Sequence, residues 1–118
     1  MRRSAAVTVA VFAATLLLVA GEGAAQTRTF ELPVRNGELP VDGRVVRVRQ
    51  GDDVTLRWTT DRPYTIHLHG YDIEQPLSPA GPVSMRFTAR ASGRFPIEIH
   101  AHGRDGHRVL AYVEVHPR

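Results

Sequence analysis

The chain has 118 residues with fifteen basic side chains, twelve acidic ones, six histidines and no cysteine. The missing cysteine excludes disulfide staples and thiol redox chemistry. All the basic residues are arginine, and setting aside Arg2, Arg3 and Glu22 leaves thirteen arginines against eleven acids, a formal charge of about +2. Those arginines alternate with acids and apolar residues and form no basic stripe with interleaved aromatics, so nucleic acid is excluded as a partner.

Arg2 and Arg3 precede an apolar and small-residue run from Ala5 to Ala20, and Gly23-Ala24-Ala25 follows as a small-residue cleavage site. This order predicts a signal peptide over residues 1–25, cut before Gln26, and a periplasmic or secreted location. The run is short for a membrane span, and no cysteine follows it to carry a lipid, so no membrane span is expected after cleavage. The twin arginine does not decide the export route. Residues 26–118 are enough for one compact domain.

Period two then dominates the chain. Phe30, Leu32 and Val34 alternate with polar neighbours, followed by Val46 and Val48, and by Val54, Leu56 and Trp58. Tyr64 to His69 alternates again, then Met85, Phe87 and Ala89, then Phe95, Ile97 and Ile99, and finally Val109, Ala111, Val113 and Val115. Each segment reads as a half-buried strand. Turn signals separate them at Asn36-Gly37, Gln50-Gly51-Asp52, Asp61-Arg62-Pro63, Ala80-Gly81-Pro82 and Ala91-Ser92-Gly93. No segment carries a sustained helical period. The expectation is an all-β domain, an antiparallel sandwich or barrel of about seven strands.

Five histidines stand out against this pattern. His67 and His69 fall in Ile66-His-Leu-His-Gly70, His100 and His102 in Ile99-His-Ala-His-Gly103, and His107 follows shortly after. Strand parity puts His67 and His69 on the face opposite Ile66 and Leu68, and puts His100 and His102 with Glu98, unless a bulge resets the phase. Both pairs sit at or near strand ends before a glycine, where loops at one end of a sandwich gather. Imidazoles suit copper, zinc, nickel or iron, and an all-nitrogen set favours Cu(II), with zinc as a substitute. Asp72, Glu98 and Asp105 are candidate carboxylate ligands or orienting partners. His116, beside Pro117, reads as surface. Trp58, Phe87 and Met85 read as core, and Tyr71 and Tyr112 as packing or strand-face residues rather than site lining. There is no Ser-His-Asp spacing, no phosphate-cradling glycine loop and no histidine at the mature N-terminus.

Several segments resemble the cupredoxins. Gln50-Gly51-Asp52-Asp53-Val54-Thr55-Leu56 is similar to the G-D-x-V-x-L approach to a central strand of that family. His67-Leu68-His69-Gly70 resembles the first copper-ligand region and the His-x-His-Gly motifs of multicopper oxidase domains. Phe87-Thr88-Ala89 with Gly93-Arg94-Phe95-Pro96-Ile97 resembles the penultimate strands, and Val109 to Val115 the last. The resemblance runs from about Arg44 to His116 and implies a Greek-key, cupredoxin-like sandwich. It carries over His67 or His69 as the first histidine ligand and His107 as the later one. His100 and His102 carry over under the oxidase alignment. The family's cysteine position holds Ile99 in one alignment and Ala101 in the other, and no methionine follows His107.

A blue type 1 centre therefore cannot form, for want of a thiolate. The resemblance implies a copper-binding protein for storage, transfer or homeostasis, with a metal ion as its partner, and not an enzyme. Two alternatives stand beside it. One is a structural sandwich with a vestigial site that docks another periplasmic protein. The other is a copper enzyme like the copper–zinc superoxide dismutases, to whose metal-binding strand His67-Leu68-His69 with Asp72 is similar; their disulfide and longer zinc loop are absent here.

Overall fold

A computed structural model of the chain describes residues 23–101 and 106–118. The expected signal peptide lies outside the described residues up to residue 22, as do His102, Gly103, Arg104 and Asp105. The described chain forms eight strands: β1 (Thr27–Val34), β2 (Val45–Arg49), β3 (Asp53–Thr60), β4 (Tyr64–Leu68), β5 (Ile73–Leu77), β6 (Val83–Thr88), β7 (Gly93–Ala101) and β8 (Arg108–His116). A single 3₁₀ turn, Val41–Gly43, leads into β2. Seven of these strands coincide with the alternating segments. The additional one is β5, Ile-Glu-Gln-Pro-Leu, which carries a proline and buries only Leu77. It is an edge strand, where a residue without an N–H is tolerated.

The strands form two sheets, β1-β3-β6 and β2-β8-β7-β4-β5. The expected all-β sandwich is present, but the expectation of purely antiparallel pairing is corrected. β1 lies parallel to β3 and β2 parallel to β8, while the remaining pairs are antiparallel. After β1 the chain turns at Asn36-Gly37, where both residues have left-handed φ of 51° and 73°, and crosses to the other sheet to lay down β2. It then crosses back for β3. Parallel neighbours need such crossovers, and side-chain alternation does not encode strand direction.

The core fills the space between the sheets, as the period-two pattern requires. Leu32, Val34, Val54, Leu56, Trp58 and Met85 from the small sheet meet Val46, Val48, Ile66, Leu68, Ile97, Val113 and Val115 from the large one. Trp58 and Met85 are core, as expected, and Phe87 packs against the core's margin. One part of β8 departs from its alternation. Ile97 pairs with Ala111 but Glu98 with Val109, so Leu110 is the extra residue of a β-bulge. Leu110 is consequently buried at 5% exposure, and Val109, expected inward, is 42% exposed.

The pole where β2 turns into β3 is tied by one acidic side chain. Asp52, 3% exposed, accepts the N–H of Gln26 on Oδ1 and that of Arg49 on Oδ2, each at 3.0 Å. The Arg118 guanidinium joins Oδ1 at 2.5 Å. Burial alone pushes this carboxyl's pKa up. The two N–H groups and the charges of Arg118 and Arg28 outweigh that and hold it below its ordinary value. Asp52 thereby locks together the approach to β1, the β2–β3 turn and the segment after β8.

Candidate functional site

β4 and β7 are antiparallel neighbours in the middle of the large sheet, and their register decides where the histidines go. Ile66 faces Ile99 and Leu68 faces Ile97 on the buried side. On the other side His67 faces Glu98 and Thr65 faces His100. His69 follows β4 and prolongs the ladder by one bond, its N–H donating to the Pro96 carbonyl at 3.0 Å. The even–odd logic of the sequence therefore holds, and no bulge disturbs the pairing of β4 with β7.

The location differs from the one expected. Antiparallel strands end at opposite ends of the sheet, so the two His-x-His segments cannot both close on a single loop cluster. They overlap instead on the sheet's outer face, with Glu98 between them. His107 reaches that face from the segment before β8. His102 is outside the described residues, as is the candidate carboxylate Asp105. His116 is exposed and pairs in register with Arg49 at the sheet's other edge, a surface residue as expected.

The side chains form a row. Asp72, held at a left-handed φ of 53°, brings Oδ1 to 3.4 Å from His67 Nε2. The rings of His67 and His69 have centroids 4.2 Å apart. His69 Nε2 lies 3.2 Å from Glu98 Oε2, and the same oxygen lies 3.4 Å from His107 Nδ1. His107 in turn contacts His100, ring centroids 4.4 Å apart. Four of the five candidate histidines thus lie in one row, with His69 and His107 against Glu98. Glu98 is partly covered, at 25% side-chain exposure, whereas His107 is open at 66%.

Two ring nitrogens in this row are left over. His69 Nε2 and His100 Nε2 are shielded from solvent and have no hydrogen-bond partner among the described residues. His69 Nε2 stands close to Glu98 Oε2 without meeting the geometry of a hydrogen bond. A shielded polar atom without a partner is costly, and a ligand that engages it is one remedy. Among the described residues no three histidine, aspartate or glutamate side chains are already closed into a cage of metal-binding geometry. The donor set fits a borderline-soft cation in chemistry, several imidazoles and one carboxylate, and reaching coordination distance requires the rings to turn.

Neighbouring residues explain the local shape. Gly70 has φ +83°, and a Cβ there would stand 2.7 Å from Phe95 Cε1 and nearer still to Cδ1, so the turn after His69 admits only glycine comfortably. Tyr71 packs against Phe87 and Phe95 at 4.8 and 4.9 Å and donates its hydroxyl to the Ala91 carbonyl, a packing residue rather than site lining. Tyr112 lies on the strand face under the Arg94 guanidinium, 3.7 Å from the ring centroid. Ile99 is buried in the core, so one of the two positions aligned with the family's cysteine points away from the histidines. Sequence reading placed Glu98 among three candidate carboxylates; its parity with His100 was the available signal that it is the central one.

No family model matches the chain, and no curated protein matches its sequence. Solved structures match its fold. One is a copper binding protein in the apo form, 10% identical over 75% of this chain and 87% of that one, with a TM-score of 0.61. Another is a heme-copper terminal oxidase dimer, 18% identical over 75% of this chain and 64% of that one, TM-score 0.61. A multi-copper oxidase from Pseudomonas thermotolerans is 23% identical over 80% of this chain and 31% of that one, TM-score 0.62. The chain thus spans less than two thirds of both oxidase chains. At these identities the likeness is one of fold, and the fold is cupredoxin-like.

Proposed function

We propose that this cupredoxin-like sandwich is a periplasmic or secreted copper-binding protein that stores, transfers or buffers the metal and is not an enzyme. The observation that carries the reading is the pair of shielded ring nitrogens, His69 Nε2 and His100 Nε2, without a partner among the described residues and flanking Glu98 on one sheet face. His67, His69, His100 and His107 supply the nitrogens and Glu98 a carboxylate, with His102 two residues beyond His100. Such a set prefers Cu(II) over other divalent first-row metals and accepts zinc. Glu98 neutralises part of the bound charge and, through its 3.4 Å approach to Nδ1, orients the ring of His107. His107, at 66% the most exposed of the three histidines that approach a carboxylate here, is where a metal enters and leaves. No thiolate faces the site, so the complex carries no intense copper–sulfur band.

Calorimetric titration of the chain with Cu(II) and Zn(II) at pH 7.5 tests this. Saturable binding is expected, lost in His69→Asn with His100→Asn and weakened by acid, because ligating imidazoles must be neutral. Absence of saturable binding, or full binding by the double variant, overturns it. The row's open geometry favours a second reading, a vestigial site on a partner-docking sandwich. Under that reading, replacing His67, His69, His100, His102 and His107 together leaves the cellular phenotype unchanged. The Asp72–His67 contact supports the weaker enzymatic reading, which a copper-loaded sample lacking superoxide-dismuting activity removes.

A further inference from the structure

A cleft of about 820 Å³ opens along the side of the sandwich where β1 and β2 are the edge strands of their sheets. Its charged lining is Arg28, Arg47, Arg49, Arg118 and Asp52, with His116 beside them. Four guanidinium groups against one carboxylate exceed the net charge of the whole chain from Gln26 onward. The excess is therefore concentrated here, at the β2 edge of the large sheet, two strands from the histidine row.

The single carboxylate does not cancel that field. Asp52 is buried under two backbone N–H groups and the Arg118 guanidinium, which is itself fixed by the Gln50 carbonyl at 2.7 Å and by the Gly23 carbonyl. Arg118 and Asp52 thus form a neutral floor. Arg47 lies 3.8 Å from Glu114, a loose contact in which the arginine side chain stays largely open to solvent. Among the described residues Arg28 and Arg49 make no ion pair. Arg28 shares the strand parity of Phe30 and Leu32 on β1 and lines the cleft. Arg47 and Arg49 project from alternate, outward positions of β2, since Val46 and Val48 between and beside them are core. A rigid strand thus holds two guanidinium forks on one side of the cleft, and Arg28 on β1 stands on the other. Cutting the chain before Gln26 would remove Gly23 from the lining and leave an α-ammonium where the Gln26 N–H now meets Asp52, making the cleft more positive.

We propose that this cleft binds a small, multiply charged oxyanion, phosphate- or carboxylate-bearing, between Arg28 and the Arg47–Arg49 pair. Guanidinium forks match such groups with two parallel charge-assisted bonds, and a cleft of this size takes a ligand larger than a single phosphate. The site is independent of the histidine row, so its failure and the failure of copper binding are separate events.

The test is calorimetric titration of the full chain with inorganic pyrophosphate and with citrate. Saturable binding of either is expected, weakening about tenfold or more in Arg28→Ala with Arg49→Ala, and falling as salt rises to about 0.5 M. The stronger of the two probes identifies the oxyanion class. Arg28→Lys with Arg49→Lys keeps the charge but loses the forks, and intermediate weakening is expected. Arg57→Ala, which breaks only the remote Arg57–Glu31 pair on the small sheet, should leave the affinity unchanged. Unchanged Trp58 fluorescence and urea unfolding in the Arg28/Arg49 variants show that they are folded. No saturable binding of either probe overturns the proposal, as does an equal loss in Arg57→Ala, which would mean a diffuse effect of charge.

Discussion

Replacing Asp52 by asparagine tests how the pole of the sandwich is held. The carboxylate's oxygens accept Gln26 N–H and Arg49 N–H at 3.0 Å each and the Arg118 guanidinium at 2.5 Å, at 3% exposure. Asparagine has one carbonyl oxygen, so its NH₂ must face one of the donors that an oxygen now serves. The change leaves one N–H without an acceptor and removes a charged partner from Arg118. Losing hydrogen bonds to a charged group and stranding a buried donor together cost about 2–4 kcal/mol. For a domain of this size that lowers Tm by roughly 10–25 °C.

The same carboxylate has a pH signature. Its pKa is depressed in the fold because the N–H groups and Arg118 and Arg28 outweigh the opposing effect of burial. A depressed pKa contributes stability that is complete above the ordinary value of 3.8 and is lost as pH falls through the lower folded value. The gap between the native chain and Asp52→Asn should be widest near neutrality and close on acidification below that range. Urea unfolding followed through the fluorescence of Trp58, the one tryptophan and fully buried, measures the gap at each pH. A gap under about 1 kcal/mol at pH 7, or one that persists undiminished at pH 2, refutes the account.

Two further substitutions probe the histidine face. Gly70→Ala combines a left-handed φ of +83° with a Cβ driven into the Phe95 ring, and should destabilise by about 2–4 kcal/mol in urea unfolding; a loss under 0.5 kcal/mol would mean the turn relaxes freely. Glu98→Gln keeps the shape between His69 and His107 but removes the charge. Copper affinity should fall about 10- to 100-fold by titration while stability in chelator changes by under about 1 kcal/mol, because the carboxylate is not deeply buried. Copper added at about a hundred times its Kd should raise stability by about 2.7 kcal/mol and a chelator should reverse it, and an unmoved Tm would count against a site in the folded state.

Seven strands and, apart from Val109 beside the β8 bulge, their inward residues were legible because burial on one face imposes period two. β5 was not, since Ile73, Pro76 and a single fully buried Leu77 at a sheet edge leave almost no pattern. The parallel partners of β1 and β2 were not legible either, because a side chain's face is the same whichever way the neighbouring strand runs. The histidines show both sides of this limit. Their common face followed from parity with Ile66, Leu68 and Ile99, but the meeting of His67 with Glu98 and the opposed ends of β4 and β7 depend on register, which two separate strand patterns do not contain. Asp52 was visible as part of a Gly-Asp turn, while its partners Gln26 and Arg118 lie 26 and 66 residues away.

The one break in β8's alternation lies beside the candidate site, and the two are coupled by distance. The extra residue Leu110 lets Ile97 face Ala111 and still leaves Glu98 opposite Val109, both directed outward. Ironing out the bulge, with Leu110 taken into the ladder opposite Glu98, would draw the chain before it along by one residue, about 3.3 Å, and turn each side chain to the other face. That displacement is as large as the whole 3.4 Å separation of His107 Nδ1 from Glu98 Oε2. Without the bulge the pairing of β7 with β8 could persist and the core could still close, with Val109 inward as the bare alternation suggests. His107 would then no longer meet Glu98 and His100. The bulge therefore trades one well-placed apolar residue of the alternating pattern for the position of an imidazole, which is the exchange expected where a sheet supports a site rather than a core alone.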